Sequence, residues 1–240
     1  MEELPGASDA CETSTTMKPL LIFDLDGTLI DSRLDLASSV NATRAHFAMP
    51  PLHNDTVYSY VGNGVPVLMQ KSLSDARGGA GASESELQRA QEFFLEYYRQ
   101  HMLDETTLYP GTTEALAKLF EAGLKMAILT NKPVRFSKAI VEGLGINPYF
   151  LHVYGGNSFD QKKPHPMGIE TLMAECHVDR ANTVMIGDSS VDVLTARNAA
   201  VQAWGVSYGF QPETLVTHPP DWLGHSMAEV AAKALGTSPS

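Results

Sequence analysis

Cysteine is nearly absent: Cys11 and Cys176 are the two thiols in 240 residues. Two are too few for a disulfide framework, so free thiols in a reducing compartment are expected. Positive charge is also scarce. Lysine and arginine number 17 against 28 acidic residues, a formal net charge of -11. Such a chain repels nucleic acid and anionic membrane, so neither is expected as a partner, and an anionic substrate would need locally placed cations or a metal. Long apolar runs are missing too. No window approaches the roughly 20 apolar residues of a membrane span. The first 19 residues are polar and acidic, without the apolar core of a signal peptide or the Arg-rich character of a transit peptide. A soluble cytoplasmic protein is therefore expected. With 43% hydrophobic and 19% charged residues the composition is globular, and the length suits one sizeable domain or a core plus a smaller one.

Residues 20–32, LLIFDLDGTLIDS, organise what is present. Four apolar residues read as a strand buried on both faces, with Gly27 signalling a turn just beyond. Asp24 and Asp26 then fall at its carboxyl end. Two carboxylates so close cannot sit unpaired in a core, so they belong in a polar crevice with a cation. A polar stretch over 1–18 predicts a disordered tail. Residues 34–107 carry helical patterns and no strand: Leu36, Val40 and Phe47 on one face, a stretch over 55–73 broken by Gly62, Asn63 and Gly64, small flexible residues over 78–82, and a helix opened by a Ser83–Glu86 capping box. Its stripe of Leu87, Ala90, Phe93, Phe94, Tyr97 and Tyr98 reads as packing.

From Tyr109 strands and helices alternate. Apolar strands are expected at 125–129, 152–154, 183–186 and, last, 203–206, with an irregular tail after Gln211 and a short final helix. The alternation implies βαβ units and a mainly parallel, Rossmann-like α/β sheet flanked by helices. Its core comprises 19–33 and 108–240, with the helical 34–107 inserted as a cap. Strand C-termini then share one edge, which brings Asp24 and Asp26, Thr130 and Asn131, Lys163, and Asp188 with Asp192 to one crevice. A lone DxD says little, and Thr130 alone would be a mere strand end. Three acids, a hydroxyl and a lysine on one face define a candidate active site.

Four motifs carry a resemblance: DLDGT at 24–28, LTN at 129–131, KKP at 162–164 and GDSSVD at 187–192. With them the chain resembles the haloacid dehalogenase superfamily of phosphatases over residues 20 to about 206. The resemblance implies that Asp24 is the nucleophile, forming an aspartyl-phosphate, and that Asp26 is the general acid and then the base. It implies phosphoryl contacts from Thr130, Asn131 and Lys163, and a Mg²⁺ ion held by Asp24, the Asp26 carbonyl and Asp188, an all-oxygen set suited to that ion. Only one of Lys162 and Lys163 should reach the site, because adjacent residues diverge. Asp192 either holds a metal-bound water or is an exposed residue on the first turn of a helix. His165 has no step to serve and reads as a loop residue.

The stretches VGNGVPVLMQ at 61–70, YPGTTEALAKL at 109–119 and KKPHP at 162–166 further resemble bacterial phosphoglycolate phosphatases. That implies a small phosphorylated metabolite as substrate and a monomer or small homo-oligomer. A sugar-phosphate phosphatase or a β-phosphoglucomutase-like enzyme shares the core, and a catalytically idle phosphate-binding protein is the remaining alternative. Gly62, Gly64 and Asn63 either approach the substrate or form a hinge between cap helices. A carboxylate on the substrate would need a cation from the cap, with Arg33, Arg44 and Lys71 as candidates.

Overall fold

The computed structural model of the protein describes residues 18–74 and 81–238. The polar tail with Cys11, and residues 78–80 of the small-residue stretch, lie outside them. The chain begins its fold with β1 (Leu20–Phe23), whose four side chains are all buried. Each such side chain contributes about 1.5–3 kcal/mol when taken from water. The strand is hydrogen-bonded in parallel on both sides, to β4 (Lys125–Leu129) and to β6 (Thr183–Gly187). Beyond β4 lies β5 (His152–Tyr154), and beyond β6 lie β7 (Gln202–Val206) and β8 (Trp222–Gly224), giving the order β5-β4-β1-β6-β7-β8. Every pairing is parallel.

Alternation along β1 splits the apolar interior into two layers. Leu21 and Phe23 join the larger cluster with Met126, Ile128, Val184 and Ile186. Leu20 and Ile22 join the other with Ala127, Leu129, Ile169 and Leu172. Helices cover both faces: α5 (Thr112–Glu121), α6 (Val134–Gly143) and α9 (Met227–Leu235) contribute to the first layer, α7 (Met167–Cys176) and α8 (Ser190–Asn198) to the second. Cys176 is a buried free thiol.

The stretch between β1 and α5 holds α1 (Arg33–His46), α2 (Asn54–Tyr58), α3 (Val65–Ser74) and α4 (Glu84–His101). The Ser83–Glu86 capping box opens α4. This stretch is not free of strands. Ile30–Asp31 (β2) and Thr107–Leu108 (β3) form an antiparallel ribbon at its two ends. Two-residue strands are too short to show periodicity in sequence. Asp35 ties the same ends together, since its carboxylate accepts the Glu105 and Thr106 amides and the Thr106 hydroxyl at 2.7–3.1 Å. A second departure lies near the C-terminus: 203–206 is not the last strand. Trp222–Gly224 extends the sheet, a three-residue segment whose strand character comes from pairing with β7 rather than from its own pattern.

Candidate active site

The sheet register pairs Phe23 with Ile128 and with Ile186, so Asp24, Thr130 and Asp188 leave the sheet at neighbouring strand ends. β1 lies where the strand order reverses, the usual position of a ligand crevice in such sheets. Leu25 turns into the apolar interior and is fully buried, which leaves Asp24 and Asp26 on the opposite side. The Leu25 amide donates to Asp24 Oδ1 at 2.8 Å.

Lys163 Nζ lies 3.0 Å from Asp24 Oδ1 and 2.6 Å from Asp192 Oδ1. Lys162 points elsewhere, donating to the Asn63 carbonyl at 2.7 Å. Burial disfavours the charge on Lys163, but Asp192 and Asp24 outweigh it and its pKa is pushed up to about 12. Asp192 is buried at 2% exposure, which overturns its reading as an exposed helix residue. It does begin a helix. Its Oδ2 accepts the Ser189 amide and hydroxyl in a capping box at α8, while Oδ1 faces Lys163.

Asp188 accepts the Phe210 amide at 2.6 Å, the Gln211 amide at 3.2 Å and the Thr28 hydroxyl at 3.4 Å. Gly27 makes room for it: its backbone has φ +83°, and a Cβ there would stand 2.4 Å from Asp188 Oδ2. Burial, then Asp192 and Asp24, push the Asp188 carboxyl up to about 8. Burial raises Asp24 to about 6 despite Lys163. Carboxylate oxygens of Asp24, Asp188 and Asp192 lie within 4.8 Å of one another. The donor set is all hard oxygen, with more buried negative charge than Lys163 balances, which fits a small divalent cation.

Asp26 faces a different partner. Its two carboxylate oxygens each lie 3.0 Å from Lys132 Nζ, and the Ser32 hydroxyl donates to Oδ1. Lys132 is 7% exposed and sits 4.6 Å from the centroid of the Tyr98 ring. Burial works against its charge, but Asp26 and then Tyr98 prevail and its pKa rises above the ordinary lysine value. Sequence reasoning stopped at Asn131 and missed this residue, although Lys132 follows the same strand end by only two positions.

The crevice above these groups is lined by Asp24, Asp26, Thr130, Asn131 and Lys132 from the β1 and β4 ends, and by Gly62, Leu68, Phe94 and Tyr98 among others from the inserted helices. The apolar stripe of α4 thus packs and also walls the site. Asn63 is not part of the lining, and its carbonyl is taken by Lys162. Asn131 donates to the Gly62 carbonyl at 3.1 Å, and Gln211 to the Val61 carbonyl at 2.9 Å. Three core side chains therefore grip one inserted loop through its carbonyls. None of the three candidate cations lines the crevice. Arg44 is buried against the carbonyls of Pro50 and Ser72, Arg33 pairs with Asp31, and Lys71 lies over the Tyr60 ring. The cavity is partly open to solvent and offers about 50 Å³. At about 10–15 Å³ per water by the same measure, that is room for a few small groups.

A carboxylate beside a buried lysine and an acid cluster whose oxygens could hold a cation, at a switch point in a parallel sheet, defines a site suited to chemistry on a small anion. Residues 21–206 match the family of haloacid dehalogenase-like hydrolases, and the chain belongs to that family. It is 37% identical over 213 residues to a phosphoglycolate phosphatase of Vibrio parahaemolyticus, covering 88% of this chain and 93% of the relative. A second, from Colwellia psychrerythraea, is 38% identical over 219 residues, covering 89% and 95%. Among solved structures, a predicted phosphoglycolate phosphatase from Haemophilus somnus superposes with TM-score 0.84 at 30% identity, covering 90% of this chain and 97% of that one. The chain is accordingly a phosphatase, a phosphoric monoester hydrolase acting on a small phosphorylated substrate. No helix among the described residues is long and apolar enough to cross a membrane.

Proposed function

We propose that the protein hydrolyses 2-phosphoglycolate to glycolate and phosphate. The observation that carries this reading is the crevice itself: Asp24, paired with Lys163 at 3.0 Å, opens onto a cavity of about 50 Å³. A two-carbon leaving group suits that space better than a hexose. The relatives bearing the phosphoglycolate phosphatase name support it further. In this reading residues 34–107 form a cap over a core of 19–33 and 108–240, and the loop gripped by Lys162, Asn131 and Gln211 holds the cap closed. Closure excludes water before attack.

Asp24 would attack phosphorus, forming an aspartyl-phosphate as the ester oxygen leaves. Asp26, protonated, would give its proton to that oxygen. Deprotonated, it would then take a proton from the water that attacks the phosphorus of the aspartyl-phosphate, returning Asp24 and releasing phosphate. Lys163 and the Thr130 hydroxyl would hold the phosphoryl oxygens, and Asp192 would fix the lysine in place. Asp24, Asp188 and the Asp26 carbonyl would bind Mg²⁺, which when present offsets the negative charge shared by the carboxylate and the phosphate dianion.

The test compares phosphate release from 2-phosphoglycolate with release from a panel of sugar and nucleoside phosphates, with and without Mg²⁺. Preference for 2-phosphoglycolate, lost with the metal, is the expected result. Comparable or faster turnover of several sugar phosphates would overturn the substrate while leaving the phosphatase class in place.

A further inference from the structure

Among the described residues, the crevice lining includes one cation, and it comes from the β4 end: Lys132, two residues past Thr130. Its ammonium contacts both oxygens of Asp26 at 3.0 Å and faces the ring of Tyr98 on α4. Around it the wall is apolar, with Leu36, Val65, Leu68, Phe94 and Phe136. A buried ammonium in such surroundings is costly unless anions meet it. Asp26 meets it here, although Asp26 must be free to exchange a proton with the substrate if the proposed mechanism holds. A second anion, arriving with the substrate, would release Asp26 for that task. Tyr98 lines the same cavity, and its buried hydroxyl interacts with the Lys132 ammonium, so a small shift of the ring would offer its O–H to an incoming acceptor.

We propose that Lys132 is the specificity-determining residue for the leaving group: its ammonium, assisted by the Tyr98 hydroxyl, binds the carboxylate of the substrate and in doing so exchanges one carboxylate partner for another. This rests on the phosphoglycolate reading but names a different residue from any cap cation. It predicts a phosphatase that selects small phosphoesters with an acidic leaving group over neutral ones of equal size.

The test measures kcat/KM of the wild type, Lys132→Met, Lys132→Arg and Tyr98→Phe on 2-phosphoglycolate and on 2-hydroxyethyl phosphate, which replaces the carboxylate by a neutral group of similar size. Loss of a charge-assisted contact should lower the ratio of the two values in Lys132→Met by at least about tenfold. Lys132→Arg should recover part of the ratio, and Tyr98→Phe should lower it by a smaller factor. Equal losses on both substrates would overturn the proposal, because a lysine that only positions Asp26 affects each alike. A Lys132→Met protein that fails to fold leaves Lys132→Arg and Tyr98→Phe to decide, and an unchanged ratio in both rejects the idea. The two readings fail separately. Wild-type preference for another acidic phosphoester, lost in Lys132→Met, would discard phosphoglycolate and keep Lys132. Strong preference for phosphoglycolate with an unchanged ratio in the variants would do the reverse.

Discussion

The metal-free protein should become less stable as pH rises through neutrality. Asp188 is raised to about 8 and Asp24 to about 6, in both cases chiefly by burial. In the unfolded chain both return to about 3.9. Between these values the native state keeps protons that the unfolded chain has released, so unfolding releases protons and stability falls with increasing pH. Both carboxyls contribute from about pH 4 to 6, and Asp188 alone from about 6 to 8. Each group contributes a slope of about 1.4 kcal/mol per pH unit. From pH 6 to 8 the loss is therefore about 2–3 kcal/mol, or about 4–12 °C in Tm for a chain of this size. A divalent cation binds the ionised form, so saturating Mg²⁺ should stabilise more at pH 8 than at pH 6 and flatten the slope. The assay is thermal unfolding between pH 5.5 and 8.5, in chelator and in Mg²⁺, for the wild type and Asp188→Asn. A Tm in chelator that is level or rising from pH 6 to 8 would refute the reasoning, as would an undiminished slope in Asp188→Asn.

If Asp24 is the nucleophile of the proposed mechanism, Asp24→Asn should reduce phosphate release by at least about a thousandfold while leaving Tm at neutral pH no lower. An unfolded or still active variant would contradict its role. Arg44→Met should orphan the Pro50 and Ser72 carbonyls that Arg44 holds, at about 3 kcal/mol, read as a Tm lower by about 6–12 °C. Joint Gln211→Ala and Lys162→Ala substitution removes two of the three donors on the 59–64 loop. Amide exchange there should accelerate about tenfold with global Tm little changed, and unaltered exchange would show that the loop does not depend on them.

Much of the fold is legible in the linear chain because its signals are local. β1, β4 and β6 are apolar runs ending in polar residues, and a capping box opens α4. Successive βαβ units have one hand and put strand ends on one edge, so the gathering of Asp24, Thr130, Lys163 and Asp188 follows from order along the chain. The two-residue ribbon and β8 do not, since segments that short take their conformation from a neighbour.

Residue pairs across the crevice depend on tertiary structure for a related reason. Arg44, Arg33 and Lys71 were equal candidates for meeting an anion until folding spent them on carbonyls, on Asp31 and on an aromatic ring. Lys132 meets Asp26 of the first strand end and the Tyr98 ring of α4, partners that lie far from it along the chain. By itself, then, the sequence determined the parallel sheet, its polar edge and the phosphatase class, because each rests on periodicity or on motifs confined to a few residues. Which cation lines the crevice, and how the 59–64 loop is gripped, were decided by packing between segments 30 or more residues apart, where no local pattern reaches.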